Sequence, residues 1–151
     1  MKNTCFLLCT IVFTLVSCGS KPNKTTQNME PFIIAEGNLY GNGDEGIPKQ
    51  QIIINTEAEW HALKEQMDRV NPVSEQFTQK DVNFNIYQVI AVFESVKTTG
   101  GYRIDLNLET TQTQRTITVN TKAPEGMATM VMTQPFKIMA IPRMDTPIIF
   151  Q

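Results

Sequence analysis

The chain has no cysteine after position 18, one histidine (His61) and one tryptophan (Trp60), and its aromatic and charged residues make up only 8% and 19%. Each shortage closes off a class of chemistry. Cys5, Cys9 and Cys18 all lie near the N-terminus, so the rest of the chain can form neither a disulfide framework nor a thiolate metal site. That part must fold by its apolar core alone. One histidine is too few for zinc, which takes three or four His, Cys or carboxylate ligands. A Ser–His–acid triad would need His61 to be oriented by a carboxylate and to face an activated serine. Ser20, Ser74 and Ser95 lie in no nucleophile-elbow sequence. No spacing selects a pair of carboxylates. A formal net charge of −2 gives no electrostatic support for nucleic-acid binding. The sequence therefore predicts no enzyme, no metal and no cofactor.

What is there begins with residues 1–17. Lys2 supplies a positive start, and "CFLLCTIVFTLV" is an apolar stretch too short to span a bilayer as a helix. It runs into Leu15-Val16-Ser17-Cys18-Gly19, which resembles a bacterial lipobox. That resemblance implies removal of 1–17 as a signal peptide and lipidation of Cys18, the last thiol in the chain. Each buried acyl methylene contributes about 0.8 kcal/mol, so two or three chains hold a protein stably on a membrane. Residues 18–30, "CGSKPNKTTQNME", are polar and read as a flexible tether. They lack a run of acidic residues directly after Cys18, which would resemble a surface-export signal. The expected location is the bacterial cell envelope, on the outer membrane facing the periplasm, with the surface-facing alternative left open.

Residues 31–151 show neither a repeat nor a second shift in composition, so they are read as one domain. "FIIAEGNLY" and Gln51–Ile54 are expected strands, joined by the turn-rich "GNGDEGIP". The one convincing helix starts at Thr56. Thr56 and Glu59 form a T-x-x-E capping box, and Trp60, Leu63, Met67 and Val70 follow at helical spacing until Pro72. From Ile86 the pattern shifts. "YQVIAVFE" is apolar enough for a strand buried on both faces, while Tyr102, Ile104, Leu106 and Leu108 alternate with polar residues. "RTITVNTK", "MATMVMT" and "FKIMAIP" read as further strands, and "PIIFQ" as a last strand or docked tail. The expected fold class is α+β: a β-dominated antiparallel meander or sandwich-like sheet with one helix packed on it.

Three stretches could carry function. Gly41-Asn42-Gly43-Asp44-Glu45-Gly46 has the letters G-x-G-x-x-G, but a strand follows where phosphate binding needs a helix N-terminus, so it reads as a turn. Asn42, Asp44 and Glu45 could offer oxygens to calcium, although their spacing fits no EF-hand. Methionines at 127, 130, 132, 139 and 144 crowd the C-terminal third, as core filling or as an adaptable surface. Thr98-Thr99-Gly100-Gly101-Tyr102 places two permissive glycines among hydroxyls and one aromatic ring, suiting a rigid contact loop. By parity Tyr102 falls on the apolar face of the next strand, so a plain turn is the alternative.

Lys97-Thr98-Thr99-Gly100-Gly101-Tyr102, with the alternating strand after it, resembles the K-P-T-G-G-Y hallmark of the PrcB C-terminal domain family. Thr133-Gln134-Pro135-Phe136 through Ile141-Pro142-Arg143 resembles that family's T-x-P-aromatic strand ending in I-P-K/R. The match extends over roughly Ile52 to Arg143. Thr98 stands where proline is usual, Ser95 where glycine is common and Asn83 where aspartate often precedes the Phe. The family is named for an exported lipoprotein subunit that stabilises a secreted protease complex. The resemblance thus implies a non-catalytic accessory role, with Thr98–Tyr102 as the partner-binding loop and an unidentified protein, an exported protease among the options, as partner. "KTTGGY" also resembles the N-P-T-T-G-Y loop of chagasin-type cysteine protease inhibitors. Here, however, Asn-Pro and an R-P-W loop are missing, and the helix is foreign to that fold.

Overall fold

The computed structural model describes residues 29–151. The expected signal peptide (1–17), Cys18 and the tether up to residue 28 lie outside that range. The described residues hold seven strands, in two sheets, and one α-helix: β1 (Phe32–Leu39), β2 (Gln50–Ile54), α1 (Glu57–Met67), β3 (Tyr87–Phe93), β4 (Arg103–Thr110), β5 (Arg115–Lys122), β6 (Gln134–Pro142) and β7 (Ile148–Phe150). The first sheet has the order β1-β6-β3-β2 and is antiparallel throughout. The second has the order β4-β5-β7, with β5 and β7 parallel. The class is α+β, as expected, but the strands do not run as a simple meander. Between β5 and β7 the chain crosses to the first sheet to lay down β6 between β1 and β3.

This crossing explains the most apolar runs. β3 and β6 are the central strands of the first sheet and are covered on both faces. Val89, Ala91 and Phe93 of β3, with Phe136, Ile138 and Ala140 of β6, face α1 and join Trp60, Leu63 and Met67 in one core. The alternate residues Ile90, Val92, Met139 and Ile141 face the second sheet and join Ile104 and Ile117 in another. Period two is thus preserved on two buried faces at once, and in sequence it looks like a continuous run. β4 needs only one such face, hence its clean alternation.

α1 begins as the capping box requires. Glu59 N–H donates to Thr56 Oγ1 (3.2 Å), and Glu59 Oε2 accepts from Thr56 N–H (3.1 Å). It stops at Met67, earlier than Pro72 suggests. Asp68 caps it and accepts from Ser74 N–H (2.7 Å), pinning the chain reversal that follows, and Val70 is left exposed. The other correction falls on "MATMVMT", which forms no strand. Residues 127–132 are an irregular exposed loop, because Thr129 C=O accepts from Gly100 and Val131 N–H (both 2.9 Å) and joins no ladder.

Candidate functional site

Thr98–Tyr102 is displayed by the end of β3 and braced by the start of β6. Beyond Phe93 the two chains stay linked: Glu94 N–H donates to Pro135 C=O (3.0 Å), while Lys97 and Thr133 exchange N–H···O bonds of 2.7 and 3.0 Å. Thr133 Oγ1 then donates to Thr99 C=O (3.0 Å), and Gly100 N–H to Thr129 C=O (2.9 Å). The loop is thus fastened on its inner side. Thr98 and Gly101 stay exposed, Thr99 and Tyr102 are half-buried, and Gly100 is buried.

The two glycines have different reasons to be there. Gly101 has φ +85°, and a Cβ on it would lie 2.7 Å from Pro124 Cβ. Gly100 has no positive φ, and a Cβ there would meet Val131 Cγ1 at an ordinary 3.5 Å. Only Gly101 is demanded by the backbone.

Tyr102 is not among the side chains packed against the second core. Lys97 Nζ lies 5.2 Å from its ring centroid, and the ring lines a cleft of about 360 Å³ with Glu36, Asn38, Asp105 and Lys137. Arg103 lines this cleft and a second one of about 330 Å³ on the glycine side, with Pro124, Glu125 and Met127. Glu36 pairs with Lys137 and Asp105 with Lys122, whereas Arg103 forms no ion pair among the described residues. The loop therefore stands between two clefts that share one unpaired guanidinium.

Beneath it sits Glu94, only 7% exposed. Its carboxylate accepts from Lys49 Nζ (2.9 Å), Thr121 Oγ1 (3.1 Å), Ser95 N–H (3.2 Å) and Lys97 Nζ (3.4 Å). Burial opposes the charge, but the hydrogen bonds from Lys49, Thr121 and Ser95, with the charge of Lys49, outweigh it. The carboxyl is held below the usual glutamate value. Glu94 thereby links the β1–β2 connection, the loop and β5. Gln134 Nε2 adds bonds to Ile47 C=O (2.8 Å) and Glu94 C=O (2.9 Å). Thr133, Gln134 and Glu94 escape a search for catalytic residues. For Thr133 and Gln134 the signal in the sequence is the T-x-P stretch itself, and Glu94 has none.

The other candidates do not converge on this loop. His61 lies on the exposed face of α1, 3.4 Å from Glu65. Residues 41–46 form turns that lead into β2, not into a helix. Glu45 is buried there with its own Oε1 accepting from Gly41 N–H (2.9 Å), so the calcium set Asn42, Asp44 and Glu45 does not face outward together. Among the described residues no three His, Cys, Asp or Glu side chains come together.

Comparison with known families fits this arrangement. Residues 88–142 match the family model described as PrcB C-terminal. The matched segment runs from β3 to the end of β6 and contains both motifs up to Pro142, the loop and its brace. It is narrower than Ile52–Arg143, leaving out β2 and α1. No curated protein and no solved structure matches the chain. Within the matched segment the second motif acts as the support of the first. Thr133 holds the loop, and Phe136 stacks on Phe93 with centroids 6.1 Å apart. Just beyond it, Arg143 donates to Phe84 C=O (2.6 Å) and to Asn55 Oδ1 (3.2 Å).

Proposed function

We propose that this chain is a membrane-anchored, non-catalytic accessory lipoprotein that binds an exported protein, a protease or another envelope component, through Thr98–Tyr102. The observation that carries the reading is the loop's construction: Thr99 and Gly100 are bonded from behind, while Thr98 and Gly101 project between two clefts. A preorganised loop loses little conformational entropy on binding, which favours a protein contact. The chemistry around it fits the same role. Arg103 is an unpaired cation among the described residues, Tyr102 is a ring already held by Lys97, and the carboxylates in their cleft, Glu36 and Asp105, are paired with Lys137 and Lys122. The PrcB C-terminal match supports an accessory role, and the lipobox around Cys18 supports anchorage in the cell envelope.

The test is capture of the partner from the protein's own cells, with membrane and soluble fractions analysed separately. Wild-type protein should partition with membranes and retain a discrete partner. Cys18→Ala should shift it out of the mature membrane-bound form. Thr98→Arg changes an exposed side chain, so stability should move by less than about 0.5 kcal/mol, yet partner capture should fall at least tenfold. Undiminished capture by a folded Thr98→Arg protein contradicts the loop assignment. Potent inhibition of a papain-like protease by the purified protein would replace the accessory role with the chagasin-like one.

A further inference from the structure

Met127, Met130 and Met132 are three of six consecutive residues, and all three are exposed: Met127 and Met130 at 103% and 94%, Met132 at 41%. By contrast, Met67 and Met139 lie in the two cores. Apolar side chains left in water contribute nothing to folding, so the loop places three thioethers outside the packing that ordinarily explains methionine. We propose that these three form a thioether site for a soft monovalent metal ion, Cu(I) or Ag(I).

The spacing allows convergence. Met130 and Met132 are two residues apart, at most about 7 Å along the chain. The Val131 N–H to Thr129 C=O bond (2.9 Å) folds the backbone tightly around Met130. Met127 is three residues from Met130, at most about 10 Å even if fully extended, and each side chain has three rotatable bonds with which to close the gap. The base of the loop is fixed, because Thr129 C=O also accepts from Gly100 N–H. Residues 126–133 carry no charged side chain that would repel a cation. Glu125 and Arg103 both line the cleft that Met127 lines, and Glu125 can balance an added charge. Thioethers select soft ions such as Cu(I) over Mg²⁺, Ca²⁺ or Mn²⁺. They need no deprotonation to bind and, unlike thiols, form no disulfides in an oxidising compartment.

The test uses full-length protein with its thiols capped by N-ethylmaleimide and its methionine methyl groups labelled with ¹³C. On titration with Ag(I), the signals of Met127, Met130 and Met132 should move together and saturate at one equivalent. Those of Met67, Met139 and Met144 should stay. Cu(I), delivered anaerobically against a competing chelator, should be retained by wild-type protein and bound at least tenfold more weakly by M127L/M130L/M132L. Leucine keeps the apolar surface and removes the sulfur, so the variant should fold and melt as wild-type protein does. Unmoved methyl signals at stoichiometric Ag(I), or equal Cu(I) retention by the triple variant, would overturn the site. Loss of a protein partner by the triple variant with no loss of Cu(I) would do the same, and would assign the loop to docking.

Discussion

At Gly101 the left-handed φ and the nearness of Pro124 act together, while Gly100 beside it faces neither constraint. Gly101→Ala should therefore destabilise the protein by about 2 kcal/mol or more, and Gly100→Ala should stay within about 0.5 kcal/mol. Paired thermal melts check this, and equal losses would remove the distinction. "GG" shows in sequence only that a bend is allowed. Which glycine is needed depends on Pro124, more than twenty residues away. Glu94 poses a similar problem, since a lone acid after an apolar run gives no sign of its four donors. Its folded-state pKa is depressed, so its contribution is present above the unfolded value and is lost as pH falls through the folded one. Stability should decline below about pH 4.3. Glu94→Gln should cost about 2 kcal/mol at neutral pH, as for hydrogen bonds to a charged group, and should flatten that acid slope. Urea midpoints measured from pH 3 to pH 7 decide it, and an unchanged slope counts against the network.

Among the elements, α1 and β3 were the most legible, because capping and continuous apolar character are local properties. The end of α1 was not, since it depends on Asp68 meeting Ser74. "MATMVMT" has strand-like letters, but its backbone is bonded to the glycine loop and joins no ladder. β5 conceals a further non-local device. Arg115, 2% exposed, donates to Pro142 C=O (2.9 Å), Met144 C=O (3.2 Å) and Thr146 C=O (2.9 Å), and burial lowers its pKa from the usual arginine value. It holds the turn that returns the chain from β6 to β7. Arg115→Met keeps the volume but leaves three carbonyls without their donor, at an expected cost of about 3 kcal/mol. The effect should appear first at β7. Hydrogen exchange at Gln151 N–H, which donates to Ile117 C=O at 3.0 Å, should accelerate before the core amides do. Uniform acceleration would mean that Arg115 supports the whole fold and not this one turn.

At the scale of the molecule, the α+β class followed from composition and periodicity. The two-sheet topology did not. Nothing in the letters of "PIIFQ" says that it pairs parallel to β5, because pairing direction is decided by where β6 carries the chain. The same topology makes the proposed site. β3 leaves the central sheet at the point where β6 enters it, so one end of the doubly buried core presents Thr98–Tyr102 with Thr133 behind it. Glu109, near the opposite end of β4, is also exposed, which makes it a suitable control. A photo-crosslinking amino acid at Thr98, irradiated in the protein's own cells, tests the central claim most directly. A discrete protein adduct from position 98 and none from position 109 is the expected result. No adduct from position 98, or the same adducts from both positions, would contradict a binding role and leave the loop as a turn.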